Sequence, residues 1–181
     1  MVRAVIITAQ GFQDEEYLYP YYRLKEIMCE VEVATPDGEV VYGEYGVPAR
    51  ASMSVKDLDA GEFDVAVIPG GVAAPDKLRI MPDVVRFISE MDQSKKLIAA
   101  MCHGPWVLIN AGVVKGRRVT AYWTLEADLR NAGASYQHKV PVVVDGNIIT
   151  SPIYTNNPEF LREIVSYIEK KMSPGAGVVI P

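Results

Sequence analysis

The sequence predicts an α/β fold in which a mostly parallel sheet carries helices on both faces. Two observations carry that expectation: short β-branched runs alternate with stretches of helical apolar spacing, as parallel βαβ units require, and the 181 residues suit one domain with one core.

The first run, RAVIITA (3–9), reads as a buried strand. YLYPYYRLKEI follows at helical spacing, and Pro20 leaves two possibilities: a helix from Asp14 that kinks at Pro20, or one with Pro20 in its first turn. Glu16 sits near the helix start in both. EVEVATP (30–36) alternates like a strand, and DGEVVYGEYGVPARASMSV suggests short antiparallel pieces or an elaborated loop. FDVAVIPGG is a strand ending in a glycine pair, PDVVRFISEMD is helical, KLIAAM returns to strand and PWVLINAGVV is helical again. LEADLRNAG reads as a short helix stopped by Gly133, and VPVVVDGNIIT as a hairpin on an Asp-Gly turn. PEFLREIVSYIEKKM closes the pattern as an amphipathic helix with Pro158 near its first position and a stripe of Phe160, Leu161, Ile164, Val165 and Ile168. Residues 1–172 form the expected domain. SPGAGVVIP (173–181) is a tail, either a frayed end or an apolar arm that docks on a neighbour.

Composition excludes several classes of function. The net charge is −5, and the basic residues occur as isolated pairs such as Lys95-Lys96 and Arg117-Arg118, so no phosphate-tracking stripe and no nucleic-acid partner are expected. No apolar stretch approaches the roughly 20 residues of a membrane span, and MVRAVIITAQGF enters a strand directly, so a cytoplasmic protein without membrane partners is expected. Two cysteines, Cys29 and Cys102, make no disulfide framework. His103 and His138 stand in no metal-ligand spacing, so neither a metal nor another cofactor is expected.

In doubly wound sheets, ligands bind beyond the carboxyl ends of the strands, and three chemistry-bearing stretches converge there: Asp14 to Glu16, the pair Gly70-Gly71, and Cys102-His103. Cys102 falls between strand and helix, the elbow position of hydrolase nucleophiles, with Ala100 where such motifs carry their first glycine. A helix starting at Gly104-Pro105 would aim unpaired N–H groups at the sulfur and favour thiolate. A small buried hydrophobe is the competing reading of Cys102. His103 need not touch the thiol, because adjacent side chains on a turn tend to diverge. N–H groups of the glycine pair and of His103 are placed to make an oxyanion hole, while a plain tight turn would leave the same residues.

The stretches DEEYLYPYYRLKE, VIPGG, AAMCHGPWVLINAGVVKGRRVTAYW and VVVDGN together resemble the PfpI intracellular protease family, of the superfamily shared with class I glutamine amidotransferase domains and the parkinsonism-associated deglycase. The resemblance spans nearly the whole chain. It implies a flavodoxin-like three-layer sandwich, Cys102 as thiol nucleophile, and Glu16 as the carboxylate beside it. A protonated Glu16 is then expected to donate a hydrogen bond to the thiolate, since two anions so close cannot both ionise easily. Gly71 and His103 fall on the oxyanion hole, Gly70 and Tyr122 on the substrate pocket. The resemblance also implies that His103 is oriented by an acid from an adjacent subunit, which falls on Asp76, although GGVAAPD is one residue longer than the family spacing and Asp76 also fits as a helix cap. A homo-oligomer, dimer or hexamer, follows from the same resemblance. Where the family continues with Ser-Arg-x-Pro, this chain reads TSPIYTNNPEF, so Tyr154 and Asn156 are expected to face the pocket in place of an arginine.

Three functions follow: a cysteine-dependent peptide hydrolase first, then a glyoxalase or deglycase acting on methylglyoxal-type aldehydes or their adducts, then a non-catalytic redox sensor or holdase in which Cys102 is oxidised. Substrates are therefore peptides or small molecules. Glutaminase chemistry is disfavoured, because His138 is followed by Lys139-Val140 and not by a carboxylate two residues on.

Overall fold

In the computed structural model, which describes residues 1–172, the chain runs through β1 (Arg3–Ile7), α1 (Asp14–Glu26), β2 (Glu30–Thr35), β3 (Val41–Tyr42), β4 (Pro48–Ala49) and β5 (Met53–Ser54). It continues through β6 (Val65–Ile68), α2 (Ala73–Leu78), α3 (Pro82–Gln93), β7 (Leu97–Met101) and α4 (Pro105–Asn110). The last third comprises β8 (Arg118–Val119), α5 (Glu126–Asn131), β9 (Ser135–Tyr136), β10 (Val143–Asp145), β11 (Ile148–Ser151) and α6 (Asn157–Met172). The tail expected at 173–181 lies outside the described residues.

Seven strands form one sheet in the order β10-β11-β7-β6-β1-β2-β5, parallel everywhere except at the β10–β11 hairpin. The central strands β6 and β7 are wholly apolar and buried at every residue, so helices must cover them from above and below. On one side α1 packs on α6, which covers β11; on the other α2 and α3 pack on α4, and α3 covers β7. Phe160, Leu161, Ile164, Val165 and Ile168 of α6 are all buried, the stripe expected from their spacing. This is a flavodoxin-like α/β sandwich.

Of the two possibilities at Pro20, the structure shows the helix that begins at Asp14: Pro20 lies inside α1, which forgoes the hydrogen bond residue 20 would give to the Glu16 carbonyl. One local feature differs from the sequence expectation. Asp76 caps nothing: α2 starts at Ala73, and Asp76 lies within it. The stretch between β2 and β6 supplies both short antiparallel pieces (β3 with β4) and a parallel edge strand (β5 on β2). No helix among the described residues is long and apolar enough to cross a membrane.

Candidate active site

Strands β1, β6 and β7 are neighbours at the centre of the sheet, so their carboxyl ends meet at one place. Cys102 follows β7 directly and takes a left-handed backbone (φ 58°), unusual for a residue with a side chain and characteristic of a nucleophile elbow. The turn is fixed on both sides: Cys102 N–H donates to the Ser151 carbonyl (2.9 Å), and its own carbonyl accepts from Tyr122 N–H (3.0 Å). Gly104 is required just beyond, because a Cβ there would stand 2.6 Å from the Ile68 carbonyl oxygen.

A closed ring of three hydrogen bonds places Glu16. Gln13 N–H donates to the Gly70 carbonyl (3.2 Å), Gly70 N–H donates to Glu16 Oε2 (2.7 Å), and Glu16 N–H donates to Gln13 Oε1 (2.9 Å). Gln13 is thus the N-cap of α1 and the tether of that helix to the β6–α2 loop. Gly70 is squeezed between the two reactive groups: a Cβ at 70 would lie 2.4 Å from Cys102 Cβ and 2.6 Å from Glu16 Oε2. Glu16 is 1% exposed, and its Oε1 is buried without a hydrogen-bond partner. Burial pushes its pKa from 4.5 up to about 8, against the opposing pull of the Gly70 N–H and the Cys102 thiol, with the charges of Glu44 and Glu15 adding to the rise. At neutral pH Glu16 therefore carries its proton.

The thiol departs from the sequence expectation. Cys102 is 7% exposed, and burial drives its pKa upward, not downward. A Glu16 carboxylate would raise it further, whereas the N–H groups of Gly71 and His103 favour the anion. The helix-end effect is weak because α4 has only six residues. With Glu16 protonated, its repulsion vanishes, but burial still keeps the thiol in its protonated form at neutral pH, so each member of the pair holds a proton.

His103 does touch the thiol. Its Nδ1 lies 3.2 Å from Cys102 Sγ, and its Nε2 lies 3.4 Å from Thr124 Oγ1. Burial lowers the His103 pKa, so the ring is neutral at pH 7; with Nδ1 accepting from the thiol, Nε2 carries the hydrogen and donates to Thr124. The ring is also held by aromatic contacts with Tyr122 and Trp106, each 5.0 Å between centroids.

These groups line a cleft of ≈ 360 Å³ together with Gln13, Glu44, Gly71, Val72, Tyr122, Ile153 and Tyr154. Gly70 lies behind its wall, between Glu16 and Cys102. Of the two residues expected in place of the missing arginine, Tyr154 lines the cleft; Asn156 does not, and instead borders a separate cavity with His138, because the turn at 154–156 points successive side chains apart. Asp76 is also outside the cleft: its carboxylate pairs with Arg79 Nε (3.2 Å) and is 59% exposed, so within one chain Thr124, not Asp76, faces the outer nitrogen of His103. Gln13, Thr124 and Glu44 escaped the sequence reading. A polar residue just before the Asp14 helix start was the available signal for Gln13; nothing local marked the other two. His138 is half exposed near Glu126, and Cys29 is buried at the start of β2. Among the described residues no group of three His, Cys, Asp or Glu is gathered to hold a metal ion.

The DJ-1/PfpI family pattern matches residues 2–167. Deglycase PfpI of Pyrococcus furiosus is 35% identical over 168 residues, 93% of this chain and 100% of that one. General stress protein 18 of Bacillus subtilis is 36% identical over 169 residues, 92% of this chain and 97% of that one. Among solved structures, Drosophila melanogaster DJ-1beta superposes with a TM-score of 0.86 at 30% identity over 99% of each chain. The chain belongs to the DJ-1/PfpI family.

Proposed function

We propose that this protein is a cysteine-dependent enzyme of the glyoxalase or deglycase type, acting on small α-oxoaldehydes such as methylglyoxal, free or as adducts on amines. One observation carries the reading: buried Glu16 is held against Cys102 at the wall of a small cleft, over the bare backbone of Gly70, where burial keeps its proton on at neutral pH. Such a pair suits addition to a carbonyl, because the acid can protonate the oxygen as sulfur attacks carbon.

Sγ bonds to the aldehyde carbon, its proton passes to His103 Nδ1, and the Glu16 proton goes to the carbonyl oxygen, giving a hemithioacetal. Glu16, now a carboxylate, takes the hydrogen from that carbon and returns it to the neighbouring carbonyl carbon, while the hydroxyl proton moves to the neighbouring oxygen. The product is a 2-hydroxy thioester; water hydrolyses it to the hydroxy acid and free thiol, and the proton held by His103 returns to Glu16. With an amine adduct, sulfur displaces the amine in the first step, the C–N bond breaking as the Glu16 proton passes to the leaving nitrogen. In this reading the N–H groups of Gly71 and His103, which favour an anion at Cys102, also steady negative charge on oxygen during thioester hydrolysis.

Peptide hydrolysis is the second reading, favoured by the 3.2 Å contact of Cys102 with His103. A part for Asp76 in either reaction needs a second copy of the chain.

The reactions separate in one experiment: formation of lactate from methylglyoxal and cleavage of unmodified peptides, measured for wild type and Cys102→Ala across pH. Expected is lactate formation by wild type alone, lost about a thousandfold or more in the variant, and falling as pH rises through about 8, where Glu16 gives up the proton the addition needs. Cleavage of peptides with methylglyoxal left untouched would overturn the proposal in favour of the second reading.

A further inference from the structure

The cleft has an unusual charge balance. Among the described residues no Lys or Arg lines it, and Glu16 and His103 are both neutral at pH 7, so Glu44 is the one lining side chain with a full charge. Glu44 is close enough to raise the pKa of both Glu16 and Cys102.

Glu44 does not sit on a free-swinging loop. It occupies the tip of the β3–β4 hairpin, which is pinned to the loop between β1 and α1 along its length. Gly11 N–H donates to the Tyr42 carbonyl (2.8 Å), Tyr42 N–H to Gln10 Oε1 (3.0 Å) and Glu44 N–H to the Phe12 carbonyl (2.8 Å). The buried carboxylate of Asp14 then accepts from both Tyr45 N–H (2.9 Å) and Val47 N–H (2.8 Å). Gly43 is needed for this approach, since a Cβ there would meet the Asp14 carboxyl at 2.5 Å. A buried carboxylate is thus committed to holding one short surface hairpin whose tip bears a second, outward carboxylate.

We propose that this hairpin reads substrate charge, Glu44 favouring carbonyl compounds that carry an ammonium or guanidinium group near the reacting carbon and disfavouring those that carry a carboxylate there. The proposal names the substrate class of the reaction proposed above and rests on it, but the field of Glu44 at Cys102 can be read without turnover. An exposed carboxylate attracts a cation and repels an anion, each by a few-fold, so discrimination between the two is on the order of tenfold.

The test uses charged alkylating probes and charged substrates in parallel, with Glu44→Gln, and with Glu44→Lys as the reversing variant. Alkylation of Cys102 by iodoacetate, iodoacetamide and 2-bromoethylammonium is followed by peptide-resolved mass spectrometry, which separates it from Cys29. In wild type the anionic probe is expected to be slowest and the cationic probe fastest relative to intrinsic reactivity, with the preference shrinking about tenfold in Glu44→Gln and inverting in Glu44→Lys. The same order is expected in kcat/KM for aryl glyoxals bearing a trimethylammonium or a carboxylate group. Probe preferences unchanged in both variants would overturn the proposal. Probe preferences that shift as expected while no aryl glyoxal is turned over would leave the charge filter standing and reject the carbonyl reaction instead.

Discussion

At the scale of single residues, the site depends on one missing side chain. Gly70 lets Glu16 and Cys102 meet, and a Cβ at that position would overlap both groups at 2.4 and 2.6 Å. Gly70→Ala is therefore expected to cost about 1–3 kcal/mol of stability through overpacking. Because Glu16 and the thiol must move apart, it should also cost a hundredfold or more in kcat, and a thermal melt beside steady-state kinetics checks both. Retained kcat would mean that the contact is dispensable. Cys102 was legible from the strand-to-helix turn and the stretch Asp14 to Glu16 from the helix start, while the choice of Glu16 as the thiol's neighbour came from the family resemblance. The direction of the thiol pKa was not legible: it depends on burial contributed by β6, β11 and α1, which no window around residue 102 contains. Glu44 was invisible for a related reason, since only the fold carries a hairpin tip from residues 41–49 to the mouth of a cleft built by residues 13–16, 70–72 and 102–103.

At the scale of elements, the stretches VKGRRV and VVVDGN, read in the sequence as family marks, belong to one structural joint. Arg117 Nη2 donates to Asp92 Oδ1 (2.9 Å) and Asn147 Oδ1 (3.2 Å), and its Nη1 donates to the Asp145 carbonyl (3.1 Å). Asn147 Nδ2 in turn donates to Asp92 Oδ1 (3.1 Å) and the Lys96 carbonyl (3.0 Å). The network binds the end of α3, the start of β8 and the β10–β11 turn at the amino edge of β7, the opposite end from Cys102. Truncating Arg117 leaves half-buried acceptors unpaired, so Arg117→Ala should lower stability by about 1–3 kcal/mol, a drop of several degrees in Tm. Activity per folded molecule should stay unchanged at low temperature. A loss of activity without a shift in Tm would refute a purely structural role. The hairpin itself was readable from its Asp-Gly turn, whereas the part played by Arg117 needed partners 25 to 30 residues away.

At the scale of the molecule, strand order converts distant sequence segments into a site. The alternation of strand and helix was enough to indicate a parallel sheet, and placing β1, β6 and β7 side by side explains why residues 16, 70 and 102 share one point. The same placement buries a carboxyl in a site that, among the described residues, no Lys or Arg lines, and the whole fold bears the cost. Since folded Glu16 holds its proton up to about pH 8 while the unfolded chain releases it near 4.5, the folded state binds more protons between those values, and stability falls as pH rises through that window. Everything proposed for the reaction rests on that retained proton. Carbon-13 NMR of the Glu16 side-chain carboxyl, assigned by comparison with Glu16→Gln and followed from pH 4 to 10, observes it directly. A carboxyl that stays neutral at pH 7 and titrates near pH 8 is the expected result; one that titrates near 4.5 would contradict the account.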